Sequence, residues 1–109
     1  MSVYNPDVWV IVKIQAPGKE EYHRVLGGWY GGYAGTDSWR LSSGVTRVVD
    51  KGSYFEVYNH SGSMYNCPKH SEKLSLYTQS IFSHYEKESK DKGWVFEIVE
   101  MKDTEYVKN

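Results

Sequence analysis

Hydrophobic and polar positions follow a strand-like period along this chain that gives way to a helical one over a single stretch. Val8 to Gln15 (VWVIVKIQ) is an almost unbroken β-branched, apolar run, the pattern of a central strand covered on both faces. Pro17-Gly18 ends it with a turn, and the chain is expected to return along Glu21 to Leu26 as the second arm of a hairpin. The stretch GGWYGGYAGTD follows, with Gly27, Gly28, Gly31, Gly32 and Gly35 around Trp29, Tyr30 and Tyr33. Glycine at that density disfavours a regular element, so the stretch reads as a loop. Ser38 to Leu41, Val45 to Val49 and Ser53 to Tyr58 read as short strands, the last two joined by Asp50-Lys51-Gly52, a hairpin signature. A turn over Asn59 to Ser63 leads into a strand from Met64 to Cys67, stopped by Pro68.

From Ser71 to Ser89 the period becomes helical. Leu74, Tyr77, Ile81 and Tyr85 fall on one face, Phe82 stands beside it, and Ser71 is a suitable N-cap. After Gly93 the alternation of a strand returns from Trp94 to Met101, and Asp103 to Asn109 is expected to be a loose tail. The pattern predicts a single α+β domain over residues 1–109. It consists of a mainly antiparallel sheet of five to seven strands, with one long helix covering a face.

Composition narrows the function classes. Lys and Arg number 13 and Asp and Glu 14, a formal net charge of -1, and the three arginines (Arg24, Arg40, Arg47) form no basic stripe, so duplex nucleic acid is not an expected partner. The longest apolar run, Val8 to Val12, is too short to span a bilayer. One cysteine, Cys67, excludes an intrachain disulfide framework, and no signal segment is visible; a cytoplasmic setting is expected. Aromatics make up 16% of the chain, a share that strands favour and that also suits half-exposed contacts to a ligand.

Two stretches carry candidate chemistry. In Asp37 to Gly44 (DSWRLSSG), Arg40 can fork onto phosphate, Trp39 can stack on a planar ring, and Ser42 and Ser43 can donate to oxygens. Simple strand alternation, with Trp39 and Leu41 inward and Arg40 and Ser42 outward, explains the same pattern without a ligand. Arg47 is expected to join from the next strand, and Trp29 and Tyr33 to fold over the ligand from the glycine loop. There is no Gly-Lys-Ser/Thr after the glycines, so this is not a P-loop.

The second stretch is Asn59 to His70. Ser61 and Ser63 flank Gly62 and can hold an anion or simply make a turn. Cys67-x-x-His70 has the spacing of a metal half-site, with His60 or His84 as a further ligand, but the second half-site of a structural zinc centre is missing. No metal and no cofactor are expected, and no catalytic residue is assigned.

The stretches D-S-W-R-L-S-S-G-V (Asp37 to Val45) and S-G-S-M-Y-N-C (Ser61 to Cys67) resemble uncharacterised small accessory proteins of tailed bacteriophages. The resemblance covers about half the chain and brings no catalytic residue with it. It implies an anti-defence context, in which such a protein occupies a host protein or sequesters a nucleotide signal. The sequence therefore predicts a non-enzymatic binding protein for a small nucleotide-like or anionic ligand, acting as a homo-oligomer whose subunits share the site. The rival readings are an inhibitor that binds a host enzyme through Trp29, Tyr30 and Tyr33, and a small metal-dependent or RNA-cleaving enzyme using His60, Cys67 and His70.

Overall fold

The apolar run that opens the chain becomes the centre of the molecule because both of its faces are covered. A computed structural model describes residues 1–31 and 35–107. In it the strand β2 (Val8–Gln15) sends Trp9 and Ile11 into a layer between two sheets, and Val10, Val12 and Ile14 toward a helix on the opposite face. The protein is thus an α+β assembly of three layers: sheet, sheet and helix.

The sheet that carries β2 has the order β4-β3-β2-β8 and is antiparallel throughout, with β3 spanning Tyr22–Trp29, β4 Ser38–Leu41 and β8 Val95–Val99. The facing sheet has the order β1-β7-β6-β5, with β5 at Val45–Asp50, β6 at Tyr54–Asn59 and β7 at Met64–Pro68. Its edge strand β1 (Val3–Tyr4) runs parallel to β7. Among the described residues there are therefore eight strands in two sheets, one strand beyond the expected range. The extra one, β1, is two residues long, too short to produce a visible alternation.

Two boundaries move for physical reasons. Gly27 and Gly28 belong to β3, not to a loop. A Cβ on Gly28 would stand 2.5 Å from Thr78 Cγ2, so glycine is what lets the strand meet the helix at this distance. The helix α1 (Leu76–Asp91) begins at Ser75 rather than Ser71. Ser75 Oγ accepts from Thr78 N at 3.1 Å and Thr78 Oγ1 accepts from Ser75 N at 2.8 Å, a reciprocal cap that Ser71 cannot form. Ser71 lies in a 3-10 turn over Lys69–Ser71.

The buried helix positions are Thr78 and Phe82, with Ile81 and Tyr85 half-buried, while Tyr77 points outward. Phe82 stacks on Phe96 of β8 at 5.4 Å, and burying such a ring stabilises the layer by about 2 to 3 kcal/mol. The C-terminal segment is not loose. Met101 and Thr104 are buried, and Tyr106 and Val107 pack against the layer between the sheets. No helix of the described residues is long and apolar enough to cross a membrane.

Candidate functional site

Strand alternation divides β4 between two surfaces. Trp39 and Leu41 pack toward the helix layer, Trp39 edge-on to Tyr85 at 5.8 Å. Arg40 therefore faces the other way, toward β1, with its guanidinium carbon 4.5 Å from the centre of the Tyr4 ring. That stacking orders the planar group and leaves its N–H edge free. Among the described residues Arg40 has neither a carboxylate within ion-pair distance nor a side-chain hydrogen bond. Its cross-strand neighbour is Gly27, which adds no side chain beside it.

After β4 the chain crosses to the other sheet, and Ser42 makes the crossing. Its N–H donates to Val25 O at 2.8 Å, and its hydroxyl accepts from Val25 N at 2.8 Å and donates to Ser43 O at 2.7 Å. Arg24 Nε donates to Ser42 O. Ser42 is buried and its one hydroxyl proton is spent on Ser43 O, so it has none left to donate to an anionic ligand.

The next residue is in a different position. Ser43 Oγ accepts from Ser61 N at 3.0 Å and donates to Ser61 Oγ at 3.0 Å, while His60 N donates to Gly44 O at 2.8 Å. These bonds staple the crossover to the β6–β7 turn. Gly62 closes that turn at φ +90°, a conformation L side chains rarely adopt. Ser61 Oγ lies 3.3 Å from Ser63 Oγ, which accepts from Asn59 Nδ2 at 3.0 Å. Asn59 is 4% exposed, and its amide nitrogen also lies within reach of Val57 O and Ser63 O, while Oδ1 has no partner among the described residues.

Counting protons gives the chemistry of the cluster. Ser43, Ser61 and Ser63 carry three hydroxyl protons, and the two links between them use two. Whichever way the Ser61–Ser63 bond runs, one O–H remains to donate to an acceptor. Arg40, Ser43, Ser61 and Ser63 line one cavity of about 590 Å³ with Tyr4 and Tyr65, inside the size range of small-molecule sites. None of the described residues lining it is acidic.

Ser42 also borders this cavity, with its hydroxyl spent on Val25 and Ser43; the fold does not bring the remaining described candidates there. Trp39 lies behind the sheet. Arg47 stacks on Tyr58 at 3.9 Å, away from the cavity. Trp29 donates from Nε1 to Asn5 O at 3.0 Å and meets Tyr4 edge-on at 6.4 Å, so it buttresses the ring under Arg40 instead of covering a ligand. Tyr33 lies outside the described residues. Two residues escaped the sequence reading, Tyr4 and Tyr65. Tyr65 could have been suspected from its place two residues after Ser63, on a strand that begins at the turn.

Cys67 sits in the core between the sheets, fully buried, and burial pushes its thiol well above the ordinary range, which suppresses the thiolate a nucleophile or metal ligand requires. His60 and His70 are exposed. Among the described residues no three His, Cys, Asp or Glu side chains are grouped to hold a metal ion. Comparison with protein-family models, with curated proteins and with solved structures finds no match to this chain.

Proposed function

We propose that this protein binds and sequesters a small nucleotide-like or other anionic ligand in the cavity beside Arg40, without turning it over. The observation that supports the reading is the convergence of a guanidinium without a carboxylate partner among the described residues and a chain of three serine hydroxyls with one proton to spare. A cation and a neutral donor that leave one side open to solvent suit an oxyanion, and charge-assisted bonds of this kind are the stronger ones. Ser42, Trp39 and Arg47 have no part in the reading, and Trp29 acts only through Tyr4.

The phage accessory resemblance supplies the biological setting of the proposal: an anti-defence protein that lowers the free concentration of a nucleotide signal in the host cytoplasm. The open mouth of the cavity agrees with closure by a second copy of the chain, and light scattering of the purified protein measures whether it is a homo-oligomer. The deciding experiment is mass spectrometry of small molecules released on denaturing the purified protein, wild type and Arg40→Ala in parallel. A phosphorylated or otherwise anionic compound retained by the wild type and lost from the variant is the expected result. Equal retention by both removes Arg40 and this cavity from the function.

A further inference from the structure

Tyr65 is 1% exposed, among the largest fully buried side chains, yet among the described residues its hydroxyl has no hydrogen-bond partner. Its oxygen is not among the sealed, unpartnered polar atoms of the described residues, so the ring is buried while the hydroxyl keeps a small opening to the cavity. Its ring packs against Tyr4 at 4.9 Å, and it lines the same cavity as Arg40 and the serine chain. Burial pushes its pKa up to about 12, with Arg40 opposing the shift, so the hydroxyl is a donor at neutral pH and lies within the field of that guanidinium.

Resting on the reading above, we propose that the Tyr65 hydroxyl is the third donor of the cavity and that the group bound there is a terminal phosphate. Three donors reach the space from three parts of the fold. Arg40 comes from β4 at the edge of one sheet, the serine proton from the two stapled loops, and Tyr65 from β7 in the other sheet. A phosphate monoester presents three non-bridging oxygens and so can occupy all three donors. A phosphodiester presents two and a carboxylate two, each with a single negative charge, so two of the donors must share one oxygen in poorer geometry and the guanidinium meets less charge than on a dianionic monoester.

Methyl phosphate and dimethyl phosphate are the probes, titrated into the whole protein and followed by the backbone amide signals of Ser61, Gly62 and Ser63. Methyl phosphate should bind at least about tenfold more tightly than dimethyl phosphate, and Tyr65→Phe should weaken methyl phosphate binding about tenfold or more while leaving dimethyl phosphate nearly unchanged. The same variant should keep its melting temperature, because the hydroxyl it deletes has no protein partner among the described residues and meets only the cavity. Methyl phosphate binding that Arg40→Ala abolishes but Tyr65→Phe preserves would overturn this inference and leave the anion site standing. No shift at these amides with either probe overturns both. A melting temperature several degrees lower in Tyr65→Phe would show that the hydroxyl serves the fold, and would likewise defeat the proposal.

Discussion

His23 and Arg40 are basic side chains on the same inner face of the same sheet, and the fold treats them in opposite ways. His23 pairs across the sheet with Lys13, is 7% exposed, and has Nδ1 3.1 Å from Tyr106 Oη in the C-terminal segment. Tyr106 also reaches Val45 O at 3.5 Å, so one phenol ties together the two sheets. Arg40 lies beside Gly27, stacked on the Tyr4 ring and without a hydrogen bond or ion pair among the described residues. A polar group sealed by the chain's own terminus is structure. One held in place by stacking, with its donors unspent, is where a ligand is expected.

The largest effect should come from breaking the sealed side. Tyr106→Ala removes a half-buried ring and its hydrogen bonds from the inter-sheet layer, and should cost about 3 kcal/mol of stability in denaturant unfolding. Anion binding by the protein that remains folded should be unchanged. A variant as stable as the wild type would mean that the C-terminal segment does not seal this layer.

Arg40→Ala should do the reverse. Stability should move by no more than about 0.5 kcal/mol, as for other exposed strand positions, while affinity for a bound phosphate falls roughly ten- to a hundredfold in calorimetric titration. Arg40→Lys should recover only part of the loss, since a point charge cannot reproduce a planar fork stacked on Tyr4. Full recovery by lysine would reduce the role of Arg40 to charge alone.

The adjacent serines sharpen the same contrast over a single residue. Ser42→Ala leaves the buried Val25 N–H without its acceptor and should cost about 1 to 2 kcal/mol with no direct effect on binding. Ser43→Ala loosens the link between the two loops at the cavity and should lower affinity with a smaller effect on stability. Equal effects of the two substitutions on both quantities would erase the distinction between them.

Local patterning was enough to read most elements. The β-branched run of β2, the Asp50-Lys51-Gly52 turn and the switch to helical spacing announce themselves because each is decided within a few residues. At Asp50-Lys51-Gly52, Gly52 N donates to Asp50 Oδ1 at 2.8 Å, the expected turn chemistry. What escaped was set by distant partners. β1 exists only because β7 offers it an edge, and Gly28 is a strand residue only because Thr78 passes above it. The site divides in the same way. Arg40, Ser43, Ser61 and Ser63 were recognisable as donors from residue type. That they meet in one cavity depends on the bond between Ser43 and Ser61, 18 positions apart, and Tyr65 looked like one more core aromatic. The different bonding of Ser42 was hidden for a related reason: its sequence context matches that of Ser43, and only the crossing between sheets distinguishes them.

The smallest effect expected is a pH dependence on the sealed side. Burial lowers the pKa of His23 below its ordinary 6.5, opposed more weakly by Glu21 and Glu105. The folded protein therefore binds the proton less readily than the unfolded chain, and stability rises with pH wherever the unfolded chain holds more protons. The contribution of neutral His23 is complete above the unfolded value of 6.5 and fades as pH falls toward the folded value. Below that value both states are protonated and the loss levels off. His23→Gln keeps a group able to bond Tyr106 and removes the titration. Denaturant unfolding between roughly pH 7 and pH 5 should show the wild type losing stability relative to the variant, since the carboxylates contribute equally to both. Parallel curves would mean that protonation of His23 does not oppose the packing of the C-terminal segment against the sheet.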